Sequence, residues 1–328
     1  MLRFFPNADY DFIRLRHWAY GVTAAMLIPG LIFLAIFGLR YSIEFTGGTL
    51  VQIHTTTPVS AGQLRSGLDA QGVHGAEIQN YGGPDDYVIR ARVAETGADV
   101  DNTEKATAVI RSALDKTIGA GHYTMVPAEV VGPKVGGELR TKAFLAIFLS
   151  FFAVLAYLAF RFEWRFGLAA VVATAHDILA TIAFIAVMRM EVSLTVVAAV
   201  LSMVGYSLND TIIIFDRARE DLHRTKWNSF GDVLNRAINE TLPRSVLTHG
   251  TTLATLLALT IFGGEVIRPF ALVMFFGVFT GTFSSIFIAS PVLMAIENKW
   301  PGAKSVTGKG GIRQPSAAAP GRKAQPVA

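Results

Sequence analysis

The chain of 328 residues contains no cysteine. That excludes disulfides, thiolate metal sites and thiol chemistry, so any part outside a membrane must stand on its apolar core alone. Charge is scarce as well, at 16% of residues against about 25% in an average soluble domain. Neither a His-Glu-x-x-His zinc motif nor a Gly-x-Gly-Asp context occurs, so intramembrane and zinc proteolysis lack their carriers. His54, His74 and His122 are scattered without ligand spacing and read as solvated or strand-edge side chains. The chain therefore offers no metal site, no cofactor site and no enzyme class.

What is present is apolar surface. Hydrophobic residues make up 52% and mean hydropathy is +0.43, the profile of an α-helical integral membrane protein. Apolar runs long enough to cross a bilayer are expected at 20–39, 143–160, 167–188, 192–215, 245–262 and 267–296. Pro29-Gly30 should bend the first, which reads as an uncleaved span, and Ser290-Pro291 allows a break in the last. Six spans place both ends on one side. The lead-in 1–19, the connections near Arg161 and Arg217 to Arg244, and the tail carry seventeen Lys and Arg, whereas the opposite short connections carry Arg189 and Arg268, with Arg40 at a span end. The positive-inside rule then puts both termini in the cytoplasm. The net charge of +4 is accounted for by this loop topology and needs no nucleic acid.

Residues 40–142 turn soluble in composition. Alternation at Leu50 to His54, a helix at Ser60 to Gln71, strands at Ala76 to Tyr81 and Tyr87 to Val93, a helix from Asn102 to Ile118 and a strand from Tyr123 to Val131 give β-α-β-β-α-β. That order is the split βαβ, a small α+β ferredoxin-like extracytoplasmic domain between the first and second spans. Within 143–297, an apolar stripe at Phe230, Val233, Leu234, Ala237, Ile238 and Leu242 predicts an amphipathic cytoplasmic helix over 229–242. Ser229 and Asp232 supply cap and first-turn acid. It lies on the membrane surface or packs on the span ends, since both burials need the same stripe. The tail 298–328, rich in Gly, Ala, Pro, Ser and Lys, reads as disordered.

The informative residues are polar ones at membrane depth. Asn209 and Asp210 stand roughly 8 Å inside the fourth run. A carboxylate there costs about 2.5 to 3.5 kcal/mol on insertion scales and marks a functional site by default. Asp177, beside His176, falls near the middle of the third span. Tyr206, Ser207 and Asp210 share one side of their helix by three- and four-residue spacing, and Arg244, Thr248, Thr251 and Thr252 form a polar stripe on the next. Arg244 close to Asp210 would hold it ionised, and its withdrawal would allow proton uptake. The bland readings are a buried Asp that joins two helices, an Arg244 that snorkels to headgroups and a His249 that hydrogen-bonds between helices. Asp216 near Arg217 and Arg219 reads as an interfacial ion pair. Gly47, Gly48, Gly136 and Gly137 flank the soluble domain as hinges or as tight turns.

These residues carry a resemblance. Phe45-Thr46-Gly47-Gly48-Thr49, Val131 to Leu139, Ala175-His176-Asp177, Gly205 to Arg217, Asn239 to Ser245 and Phe262-Gly263-Gly264 together resemble the SecF family of bacterial protein-translocation subunits, over about residues 10–297. The resemblance implies a proton-motive-force-driven, RND-like subunit that works with SecD and YajC beside the SecYEG channel and the SecA motor. Its work would be late preprotein export across the bacterial cytoplasmic membrane. It maps the family's membrane Asp, in the motif Asn209-Asp210-Thr211, to Asp210 and its basic residue to Arg244, and Asp177 matches its His-Asp motif. Proton coupling is therefore expected at Asp210, Arg244, Asp177 and Asn209, with Ser207, Thr211, Thr248 and His249 as supporting polar groups. Besides protein partners and membrane lipids, two other classes remain open. One is a purely structural assembly subunit, and the other is a subunit of an RND-like small-molecule exporter.

Overall fold

A computed structural model describes residues 9–73, 76–80, 83–91, 102–126, 129–131, 133–224 and 229–301. The expectations for His74 and for the disordered tail beyond residue 301 lie outside them. Among the described residues, six helices are long and apolar enough to cross a membrane. They are α1 (Arg16–Phe37), α5 (Pro133–Arg161), α6 (Trp164–Val187), α7 (Leu194–Arg224), α8 (Phe230–Phe262) and a sixth made of α9 (Gly264–Ser284), a π-helical turn at Ser285–Ala289 and α10 (Ser290–Lys299). The chain is thus a multi-pass membrane protein. α6, α7 and the sixth helix form its centre, while α1 and α5 are almost wholly exposed along their apolar windows.

Three boundaries differ from the sequence reading for physical reasons. α5 starts at Pro133, ten residues before the apolar run, because proline suits a first helical turn and polar residues extend the helix beyond the lipid. The expected amphipathic helix and fifth span are one continuous α8 that passes through Pro243. Proline removes one backbone hydrogen bond, but burial of Phe230, Val233, Leu234, Ala237 and Ile238 in the bundle core holds the helix on the near side. That stripe therefore packs on protein, and Asn239 and Asn235 clamp the lead-in backbone at Tyr10 and Ile13. Ser229 and Asp232 form the capping box at its start. The break near Ser290-Pro291 takes the form of the π turn. Pro291 has no N–H to donate, and Ser290 Oγ donates 3.0 Å to the Ser285 carbonyl, the spacing of a π bulge.

Between α1 and α5 lies the α+β domain. β1 (Arg40–Tyr41) and α2 (Ile43–Thr46) lead into β2 (Gly48–Thr55), α3 (Ala61–Ala70), β3 (Glu77–Asn80), β4 (Asp86–Ala91), α4 (Asn102–Thr117), β5 (Tyr123–Met125) and β6 (Glu129–Val131). The antiparallel sheet has the order β3-β4-β2, with β5 and β6 both on the far side of β2. This is the ferredoxin-like arrangement, with its last strand in two pieces. β2 alternates, burying Val51, Ile53 and Thr55, and its core closes with Leu64, Leu68, Ile110 and Leu114 from the two helices. Period-two burial on strands and period-3.6 burial on helices account for one apolar layer between them. His54 Nδ1 lies 2.7 Å from Asp86 Oδ1 at the exposed end of the β2 to β4 ladder.

The domain is strapped to the bundle. β1 pairs in parallel with β7 (Glu191–Val192), the connection between α6 and α7. Glu44 Oε2 accepts the Leu194 N–H at 2.6 Å, capping α7 from outside its own sequence, and Arg90 of β4 pairs with Glu191 at 3.0 Å.

Candidate functional site

Inside the bundle the polar residues sort into two clusters rather than one. The first surrounds Asp177 on α6, which is 0% exposed. His176 Nδ1 lies 2.9 Å from Oδ1. Ser284 Oγ donates to Oδ2 at 2.7 Å, and Ser207 Oγ of α7 donates to the same oxygen. Three elements thus converge on one carboxyl group. Ser207 was expected beside Asp210, but three residues along a helix leave a 60° difference in facing, enough to turn Ser207 to α6 and α9. The close approach that permits this comes from Gly281 of α9, where an added Cβ would lie 2.8 Å from Ser207 Cβ. Gly277, one turn earlier, meets Met203 in the same way. Small residues four apart let helix backbones approach in a membrane.

The second cluster lies between α7 and α8. Asp210 is 2% exposed and His249 3%, and His249 Nδ1 stands 3.2 Å from Asp210 Oδ2. The same nitrogen is 2.9 Å from the Ser245 carbonyl oxygen, its own helix's acceptor. Asp210 Oδ2 is buried and receives no hydrogen bond. Tyr206, one turn along α7, sets its ring edge-on to the His249 ring at 5.4 Å. Its hydroxyl bonds with Thr252 Oγ1 at 2.5 Å and reaches the Thr248 carbonyl at 3.4 Å. Thr211 is buried.

Arg244 does not form the pair expected of it. It is exposed, and the basic atom within 4.0 Å of Asp210 belongs to His249. Spacing explains the substitution. From Ser245, which faces the interior, His249 follows one turn later on the same side, whereas Arg244 precedes by 100°. Asn209 is likewise exposed. Asp216 is ion-paired as expected, with Arg219 but not with Arg217. Asp216 binds Arg161 of α5 at 3.0 Å and Arg219 at 3.8 Å, while Arg217 turns to Glu240 of α8 and to Glu220. A charged belt therefore ties α5, α7 and α8 together at that end of the bundle.

The glycine pairs divide too. Gly47 and Gly48 have φ of 72° and 144°, a region that disfavours side chains. Gly136 and Gly137 are not in a turn but within α5. A Cβ at Gly136 would stand 2.8 Å from the Gly47 nitrogen, so Gly136 lets the α5 backbone touch the chain just before β2. Sequence reasoning overlooked Ser284, Gly277 and Gly281, Glu44 and the Arg90 to Glu191 pair. The Gly-x-x-x-Gly spacing at 277–281 was the available signal. The pair across domains had none, because no local pattern links Arg90 to a residue a hundred positions away.

Six spanning helices, a ferredoxin-like domain inserted after the first, and ionisable groups buried between helices define a polytopic membrane protein with a polar core. Comparison with known proteins gives its family. Residues 109–299 match the model of the SecD/SecF protein-export membrane protein C-terminal region, and residues 32–59 match the SecD/SecF GG motif. The chain is 53% identical to the protein translocase subunit SecF of Gemmatimonas aurantiaca, covering 92% of this chain and 91% of that one. It is 34% identical to the SecF of Escherichia coli O157:H7 over 88% of each. It superposes on the crystal structure of SecDF, a translocon-associated membrane protein from Thermus thermophilus, with a TM-score of 0.79 and 31% identity. That match covers 89% of this chain and 39% of the SecDF chain. The chain belongs to the SecF family of protein translocase subunits, and its role lies in Sec protein translocation.

Proposed function

We propose that this chain works with a SecD partner as a proton-motive-force-coupled subunit that assists late steps of preprotein export across the bacterial cytoplasmic membrane. SecYEG, SecA and YajC act beside it, and both of its termini are cytoplasmic. The observation that carries the reading is the buried Asp210 to His249 contact at 3.2 Å. An acid and a base enclosed between two spanning helices bind protons differently in two helix arrangements. One charge moved through about 100 mV supplies about 2.3 kcal/mol, which biases a conformational cycle when the two states differ in proton affinity.

Support for a partner comes from the outward face of α7 and α8. Ala198, Ser202, Gly205 and Asn209 on α7, with Gly250, Thr251 and Thr255 on α8, are all exposed. Ser202, Thr251 and Thr255 donate back to their own helix, whereas Asn209 and Arg244 find no hydrogen-bond partner among the described residues. Polar groups facing hydrocarbon are costly, and small residues suit close helix contact. A second set of spans against this face would satisfy both and would bring Arg244 and Asn209 to the site. The Thermus SecDF chain, of which this one spans about two fifths, accords with that arrangement. Gly47 and Gly136 would then set the junction about which the extracytoplasmic domain moves.

A structural role fits Asp177, whose carboxyl group accepts from Ser207 of α7 and Ser284 of α9 and so joins three helices. The test is preprotein release from membranes carrying wild-type protein or Asp210→Asn with its partner, SecA and ATP constant, the proton gradient imposed or collapsed. Loss of only the gradient-dependent release is expected. An Asp210→Asn chain that assembles and keeps the full gradient response would refute the reading.

A further inference from the structure

Proton coupling at Asp210 leaves open which atom takes the proton. The orientation of His249 answers it differently from a lone carboxylate. Its Nδ1 stands between two oxygen acceptors, the Ser245 carbonyl at 2.9 Å and Asp210 Oδ2 at 3.2 Å. A nitrogen so placed has to carry hydrogen, since a bare lone pair would face two oxygens at contact distance. The backbone carbonyl therefore fixes the Nδ1–H tautomer and leaves the lone pair on Nε2. Asp210 Oδ2, which accepts no hydrogen bond and is shut off from solvent, faces the ring as a counter-ion.

We propose that the transported proton binds to Nε2 of His249, with Asp210 as the fixed carboxylate that stabilises the resulting imidazolium. This deepens the proton-coupling reading and rests on it. The step is balanced. An arriving proton forms an N–H bond at the Nε2 lone pair, and breaking that same bond releases it, while Nδ1–H and the carboxylate keep their bonding. The Ser245 carbonyl holds the ring in place, and the buried carboxylate 3.2 Å away favours the charged ring by opposite charge.

Among the described residues, no other charged group lies within 4.0 Å of Asp210. On α7 the neighbour is Tyr206, occupied with Thr252. On α8 it is Arg244, which is exposed and acts on Asp210 by charge from beyond 4.0 Å rather than by an ion pair. On α6, His176 and Asp177 are engaged with each other. α9 carries no charged residue between Phe270 and Ser284. On α5, Arg161 pairs with Asp216.

The discriminating variant is His249→Asn. An asparagine amide nitrogen sits where Nδ1 does and still donates to the Ser245 carbonyl, but it has no base. Membranes carrying the full complex are compared for SecA-driven release with and without a proton gradient from pH 6 to 8.5. The expected result is normal assembly, unchanged gradient-independent release and a gradient-dependent part reduced at least about a hundredfold, the lower end of what a positioned proton-transfer group contributes. His249→Ala, which opens space for a free base, should recover gradient-dependent release when imidazole is added, and wild type should not respond to imidazole. Full gradient response in His249→Asn, with Asp210→Asn impaired, overturns the proposal and puts the proton on Asp210 itself. Full response in both variants overturns the proton-coupling reading as well. Failure of both His249 variants to assemble assigns the residue to packing and also overturns the proposal.

Discussion

Replacing Gly281 by alanine puts a methyl group 2.8 Å from Ser207 Cβ, 2.9 Å from its Oγ and 3.1 Å from its Cα. The last of these decides the outcome, because a backbone atom cannot rotate away and α7 must shift by a few tenths of an ångström. Overpacking of this kind costs about 1 to 3 kcal/mol. The shift also draws Ser207 from Asp177, and a buried hydrogen bond to a carboxyl group is worth about 1 to 3 kcal/mol more. The two losses share one displacement, so they do not simply add, and about 2 to 4 kcal/mol is the expected total. Gly277→Ala serves as the control. Its methyl would meet Met203 Cγ at 2.2 Å and Cβ at 3.1 Å, but no backbone atom is among its closest contacts. A methionine side chain rearranges readily, so less than about half the cost is expected. Thermal unfolding of the purified protein in detergent reads the difference, at roughly 2 to 4 °C per kcal/mol for a chain of a few hundred residues. A Gly281→Ala protein within about 1 °C of wild type, or one less perturbed than Gly277→Ala, would refute the argument that backbone contact at Ser207 sets the α7 to α9 distance.

Three more outcomes follow from contacts elsewhere in the chain. Asn239→Ala removes the amide that both donates to the Tyr10 carbonyl at 2.8 Å and accepts its N–H at 3.0 Å; hydrogen exchange should accelerate at residues 10–15 by about tenfold, as expected from roughly 1.4 kcal/mol of lost hydrogen bonding. Unchanged exchange there would show that Asn235 and the packing of Phe12 and Ile13 hold the lead-in without Asn239. Burial first, then the hydrogen bond to Asp115, pushes the Tyr123 hydroxyl up to about 12 from 10.0. The neutral phenol is thus favoured by the fold, and its contribution is whole below pH 10 and lost as pH rises from 10 through 12. Tyr123→Phe should remove that alkaline loss in the α+β domain, and an identical alkaline limb in the variant would contradict the assignment. Gly136→Val drives a side chain into the Gly47 nitrogen and the Phe45 carbonyl; accelerated exchange at the Phe45, Thr46 and Gly47 amides is expected, with β2 to β4 protection retained.

The sequence by itself determined the class, the number of apolar spans and the ferredoxin-like order of the inserted domain. Each of these rests on a local period, either twenty apolar residues for a span or the change between periods of two and 3.6 in the domain. It also singled out Asp210, since a carboxylate in an apolar run is costly wherever the chain goes. Tertiary structure alone decided the pairings. Arg244 and His249 are both within reach of Asp210 by sequence, and only the rotation of α8 about its axis selects His249. Ser207 and Tyr206 are neighbours in sequence, yet the crossing of α7 between α6 and α8 sends one to Asp177 and the other to Thr252. Proline at 243 reads locally as a boundary, but burial on both sides of it keeps α8 whole. Helix rotation and helix approach are set by side-chain packing summed over whole interfaces, and no window of sequence contains that sum.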